Sequence, residues 1–168
     1  MAALARRATS PASCYVAFNV TLVAWHLPPL YDRAMAVHGV HVVQHLCFLV
    51  ASTLLWWPFL SSLPELPRPT YPKQMLYSVL LMLPMSIVGM FLTYADRVLY
   101  PAYEAAPRIW GISPLEDQRL GGLIMWIPGN LIVMAVFSVV FFRWAAIQSA
   151  DDAADAPLTV RPSPLGPG

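Results

Sequence analysis

The sequence predicts an all-α integral membrane protein, a four-transmembrane-helix bundle with both termini on the inner side (N-in/C-in), and three observations carry that expectation. The 168-residue chain is 58% hydrophobic and only 11% charged, with a mean hydropathy of +0.57, too apolar for a soluble domain of this size. Four apolar stretches of helix length recur, separated by clusters of proline, aromatic and charged residues. Basic residues near their ends are biased to one side. Arg6, Arg7, Arg68, Lys73, Arg143 and Arg161 fall inside, against Arg33, Arg97, Arg108 and Arg119 outside. The formal net charge of +1 is scattered over loops and tails, which argues against nucleic acid as a partner. Cys14 and Cys47 suggest neither a disulfide framework nor a Cys-x-x-Cys metal site.

Residues 1–10 read as an N-terminal cytoplasmic segment and 11–147 as the transmembrane domain. The first span, about 11–28, starts at Pro11, a residue suited to a first helical turn. No small-residue cleavage pattern follows its apolar run, so it is expected as a retained span rather than a signal peptide. Tyr15, Asn19, Leu22 and His26, spaced four, three and four apart, form its inward stripe, and Pro28-Pro29 end it. The second span, about 36–60, closes with Trp56-Trp57-Pro58, an aromatic interface anchor followed by a helix stop. Pro64, Pro67, Pro69 and Pro72 make the next connection stiff and extended. The third span, about 74–96, holds Pro84 and a small, polar stripe of Ser86, Gly89, Thr93 and Asp96 suited to close helix contact. The fourth, about 114–146, opens with Ser113-Pro-Leu-Glu116, a capping box with proline at the first helical position. The tail, 148–168, is too poor in apolar residues to bury and is expected to be disordered.

The chemistry-bearing residues sit in the second span. His38, His41 and His45 fall at helical offsets of zero, three and seven, within an arc of roughly 60°. Histidine is scarce in membrane spans because a polar group in hydrocarbon needs a partner or a purpose. The antiparallel order brings the end of the first span, the start of the second, the end of the third and the start of the fourth to one face. His26, His38, His41, His45, Asp96, Asp117 and Gln118 are therefore expected to line one outer-facing pocket. Imidazole suits copper, and His26, His41 and His45 form the expected metal set. His38, Asp96, Asp117 and Gln118 are the supporting polar residues, able to orient the ligand rings. Each also has a plainer reading. A His-x-x-x-His pair can hydrogen-bond between helices, and Asp96 and Asp117 can pair with Arg97 and Arg119.

Several blocks carry a family resemblance. Trp25-His-Leu-Pro-Pro-Leu-Tyr-Asp32, His41-Val-Val-Gln-His45 with Leu55-Trp-Trp-Pro58, Phe91-Leu-Thr-Tyr-Ala-Asp96 and, above all, the run from Ser113-Pro-Leu-Glu-Asp-Gln-Arg119 to Gly129 resemble the CtaG-type cytochrome c oxidase (caa-type) assembly factors. The resemblance covers nearly the whole chain. It implies a multi-pass protein of the bacterial inner membrane that matures a copper-containing oxidase by binding rather than catalysis, with cytochrome c oxidase subunits and the lipid bilayer as partners. It singles out His26, His41 and His45 as motif histidines, and Asp96, Asp117 and Gln118 as motif polar residues. His38 lies outside the motif. Family members usually carry further N-terminal spans that this chain lacks, which leaves room for another membrane subunit or a second copy. Two other readings stand beside it: a b-type cytochrome with haem between His26 and a second-span histidine, and a structural subunit of a respiratory complex. No Gly-x-Ser-x-Gly elbow, phosphate loop or zinc-protease helix points to a hydrolase.

Overall fold

The computed structural model describes residues 2–155. They form seven helices: α1 (Ala2–Ala8), α2 (Pro11–Trp25), α3 (Pro28–Ala36), α4 (His38–Leu60), α5 (Tyr71–Thr93), α6 (Pro101–Ala105) and α7 (Pro114–Asp155). Three of them, α4, α5 and α7, are long and apolar enough to cross a membrane, and α2 is a shorter apolar helix. Exposed Val, Leu, Ile and Phe side chains cover the outward faces of all four, as expected of surfaces that meet lipid rather than water.

Prolines set most of the boundaries. The Ser10 hydroxyl accepts the Ser13 amide at 3.2 Å and Pro11 takes the first position of α2. Pro28 both stops α2 and starts α3. Leu27 before it is extended, as a pre-proline residue prefers, and a first-turn proline lacks only an amide that has no helical partner anyway. The connection expected at 31–35 is therefore helical. Pro72 acts likewise, so α5 starts at Tyr71 and ends at Thr93, leaving Asp96 in the following bend. Pro58 falls inside the last turn of α4, which continues to Leu60. The capping box at Ser113 is formed in both directions: Glu116 N–H donates to Ser113 Oγ at 3.2 Å and Ser113 N–H to Glu116 Oε2 at 2.9 Å. At ~1.5 Å per residue the 42 residues of α7 run ~63 Å, twice the ~30 Å of a bilayer core. Its last turns overturn part of the disorder expected for the tail, since 148–155 are helical. Residues 156–168, with Arg161, lie outside the described residues.

α2 packs on α4 along one side and more lightly on α5 along the other, while α5 and α7 pack along each other. The end of α4 also meets α5 through Tyr77 and shares a groove with α7. The core joins Cys14, Phe18 and Leu22 of α2, Ala51, Leu55 and Phe59 of α4, Tyr77 and Leu81 of α5, and Val133 and Val140 of α7. Asn19 and Leu22 of the expected inward stripe are buried with them. Tyr77 Oη donates to the Leu55 carbonyl at 3.1 Å, and its ring stands 5.5 Å from Phe59. The small stripe of α5 faces α7, where Asn130 Nδ2 donates to Ser86 Oγ at 2.7 Å.

Candidate metal centre

At the end of the molecule where α2 and α5 finish and α4 and α7 begin, the structure separates the histidines from the acids. His41 and His45 meet: their Nε2 atoms are 2.7 Å apart, and the rings stack with centroids 4.6 Å apart and planes inclined by 13°. The helix dictates this, since residues four apart lie one above the other. His41 is half-buried at the edge of the packed face, while His45 is exposed among Val42, Val43 and Leu46. Two neutral imidazoles can share that distance only if one keeps its Nε2 proton and donates it. His38, one turn earlier, is exposed.

His26 caps the C-terminus of α2. Its Nδ1 lies 2.7 Å from the Leu22 carbonyl. A carbonyl can only accept, so Nδ1 carries the proton and Nε2 keeps its lone pair. The ring meets Phe48 edge-on at 6.3 Å, which puts it one turn along α4 from His45. Among the described residues no three His, Cys, Asp or Glu side chains stand close enough to hold one ion. The structure brings two of the three expected ligands together and leaves His26 apart from them, on the adjoining helix against Phe48.

The supporting polar residues do other work. Gln118 is only 1% exposed. Its Oε1 accepts the Leu99 amide at 2.6 Å and its Nε2 donates to the Arg97 carbonyl at 3.3 Å. Arg119 donates from Nε and Nη2 to the Ala95 carbonyl at 3.0 and 2.8 Å. Together they strap the loop after α5 onto the first turns of α7. Asp117 pairs with Arg108, at 3.7 Å, rather than with Arg119 as its sequence neighbourhood suggested. Asp96 is exposed in the bend. The expected single pocket is thus divided, because the loop backbone takes the Gln118 amide, Asp117 turns to Arg108 and Asp96 lies exposed in the bend.

A tyrosine cluster fills the space between, and the sequence reading missed it. Tyr100 is buried, donates from its hydroxyl to the His26 carbonyl at 2.7 Å, and packs against Tyr31 with ring centroids 4.2 Å apart and planes inclined by 33°. Burial, then the neighbouring Tyr103 and Asp32, push the Tyr100 phenol up to about 12, so it stays a hydrogen-bond donor at neutral pH. The one signal was Leu99-Tyr100-Pro101, a tyrosine fixed just before a helix-starting proline. Tyr100→Phe is expected to cost about 1 kcal/mol and to loosen the turn bearing His26, seen as faster hydrogen exchange at residues 26–31.

Over 136 residues, 80% of this chain, the sequence is 27% identical to the uncharacterized protein Mb0105 of Mycobacterium bovis and equally to the uncharacterized protein MT0111 of Mycobacterium tuberculosis. The chain spans about a fifth of the length of these curated relatives, 21% in each case. No solved structure matches it. The family model of the cytochrome c oxidase caa3 assembly factor (Caa3_CtaG) matches residues 1–146, from α1 through the membrane-crossing part of α7, and the chain belongs to that family.

Proposed function

We propose that this protein serves the assembly of a caa3-type cytochrome c oxidase in a bacterial inner membrane by presenting copper on the His41–His45 pair to an oxidase subunit. The observation that carries this is the 2.7 Å separation of the two Nε2 atoms. Two nitrogens bound at about 2.0 Å to one metal in square-planar array lie about 2.8 Å apart, and in tetrahedral array about 3.3 Å. A shift of a few tenths of an ångström, with the donating ring carrying its proton on Nδ1 instead of Nε2, would turn both Nε2 lone pairs to one metal. His26, its Nε2 lone pair left available on the adjoining helix, stands outside this pair and would have to close on α4 to join it. A two-ligand site on an exposed face leaves positions open to a ligand of the recipient, which delivery requires and a closed structural site forbids. The rival reading, a b-type haem between His26 and a second-span histidine, is separated from this one by the spectrum in the test below.

In the membrane, α2 makes the fourth crossing, extended by its junction with α3. The basic residues Arg68, Lys73 and Arg143 favour an inner position for the far end, which would put the histidines toward the outer face. The test is metal content. Detergent-purified protein reconstituted with copper is expected to hold about one ion per chain, and His45→Ala and His41→Ala are each expected to lower this at least about tenfold with the melting transition retained. Undiminished copper in both variants sinks the proposal, and a Soret band in the wild type would transfer the site to haem.

A further inference from the structure

We propose that the groove at the opposite end of the molecule, between the end of α4, the start of α5 and the flank of α7, binds an anionic phospholipid, with its phosphate between Arg68 and Arg143 and an acyl chain along α7. A cavity of about 530 Å³ opens there. Its walls are apolar, built by Phe59 of α4 and by Val136 and Val139 of α7, and its rim carries Arg68, Thr70 and Arg143. Its floor lies where α4 stops and α5 starts, beside the Trp56-Trp57 anchor, which is the depth of a lipid headgroup.

Arg68 is held rather than loose. Its Nε donates to the Ser61 carbonyl at 2.5 Å, Ser61 Oγ donates in turn to the Leu66 carbonyl at 2.6 Å, and the two Nη groups remain for a ligand. Among the described residues neither Arg68 nor Arg143 has a carboxylate partner. Arg68 and Arg143 are both exposed at the groove, and an anion between them would relieve the repulsion of two like charges on one rim. The start of α5 adds to the same field. Thr70 at its N-cap makes no side-chain cap bond, so the Tyr71 amide on the cavity lining has no helical partner and the positive end of the helix dipole lies at the cavity. A free phosphate would use the arginines but leave the hydrocarbon wall idle. A phospholipid uses both, and basic pockets between membrane helices on the inner side are suited to such headgroups. This site is independent of the histidines and stands whatever metal they hold.

The whole chain in detergent, titrated with phosphatidylglycerol, phosphatidylcholine or inorganic phosphate and read by native mass spectrometry, decides the matter. Phosphatidylglycerol is expected to bind saturably and about tenfold tighter than phosphatidylcholine, with inorganic phosphate a weak competitor. Arg143→Gln, which removes no internal hydrogen bond, should weaken phosphatidylglycerol about fivefold. Arg68→Gln should do at least as much, and Val139→Trp should block the lipid without altering phosphate binding. Equal binding of the two lipids, wild-type affinity in Arg143→Gln, or phosphate as tight as lipid would each overturn the assignment.

Discussion

Gly122→Ala is expected to destabilise the protein by roughly 1–3 kcal/mol, through overpacking rather than through any lost interaction. A Cβ at Gly122 would stand 2.8 Å from Leu92 Cβ, 2.8 Å from Thr93 Oγ1 and 2.9 Å from the Gly89 carbonyl oxygen. The first and last of these belong to or adjoin backbone and cannot rotate away, so α5 and α7 must separate. Gly89 makes the reciprocal approach, since a Cβ there would run into the Trp126 side chain. In a membrane, where lipid is as apolar as leucine, helix association depends on such close fit. Loss of it should show as a lower apparent melting temperature of detergent-solubilised protein. Gly129→Ala is the control. Its Cβ meets only Met85, chiefly the flexible thioether sulfur, which can move aside, and it should be near neutral. Equal stability of all three proteins would mean that α5 and α7 are not packed as described.

The second large effect is expected at Gln118. Gln118→Met nearly preserves volume but removes both bonds to the loop, leaving the Leu99 amide and the Arg97 carbonyl without partners. The cost should be about 2–3 kcal/mol, below the sum for two fully buried groups because the loop is partly open to water. Residues 97–99 should then exchange amide hydrogens faster, and Tyr100, which follows directly and holds the His26 carbonyl, should loosen with them. Copper content, if the histidine pair carries the metal, should survive in this variant because Gln118 does not touch His41 or His45. Unchanged exchange at Leu99 would show that Gln118 is not the strap.

What could be read in advance follows the range of the physics. The Ser113 capping box and the Pro11 start involve residues within one turn, and the structure reproduces both. The His41–His45 contact is equally local, four residues along one helix. Pro28 shows the limit even of local rules, because the same residue that ends one helix is well placed to begin another. The tail failed for a related reason. Ala-rich sequence too polar to bury can still extend a long helix already nucleated in α7, as 148–155 do.

By itself the sequence determined that this chain lives in a membrane, that it is helical, that His38, His41 and His45 share one face of a helix, and which family it belongs to. Only the tertiary structure decided which polar groups from different helices meet. Periodicity specifies the face of a helix but not its rotation or distance relative to a neighbour, and those are set by packing. Close approach at Gly89 and Gly122 joins α5 to α7, α2 packs on both α4 and α5, and Gln118 is thereby turned to the 97–99 backbone instead of to the histidines. The two arginines of the α5–α7 groove show the same lesson in reverse. Seventy-five residues apart in sequence, they share a cavity only because the helices that carry them run side by side.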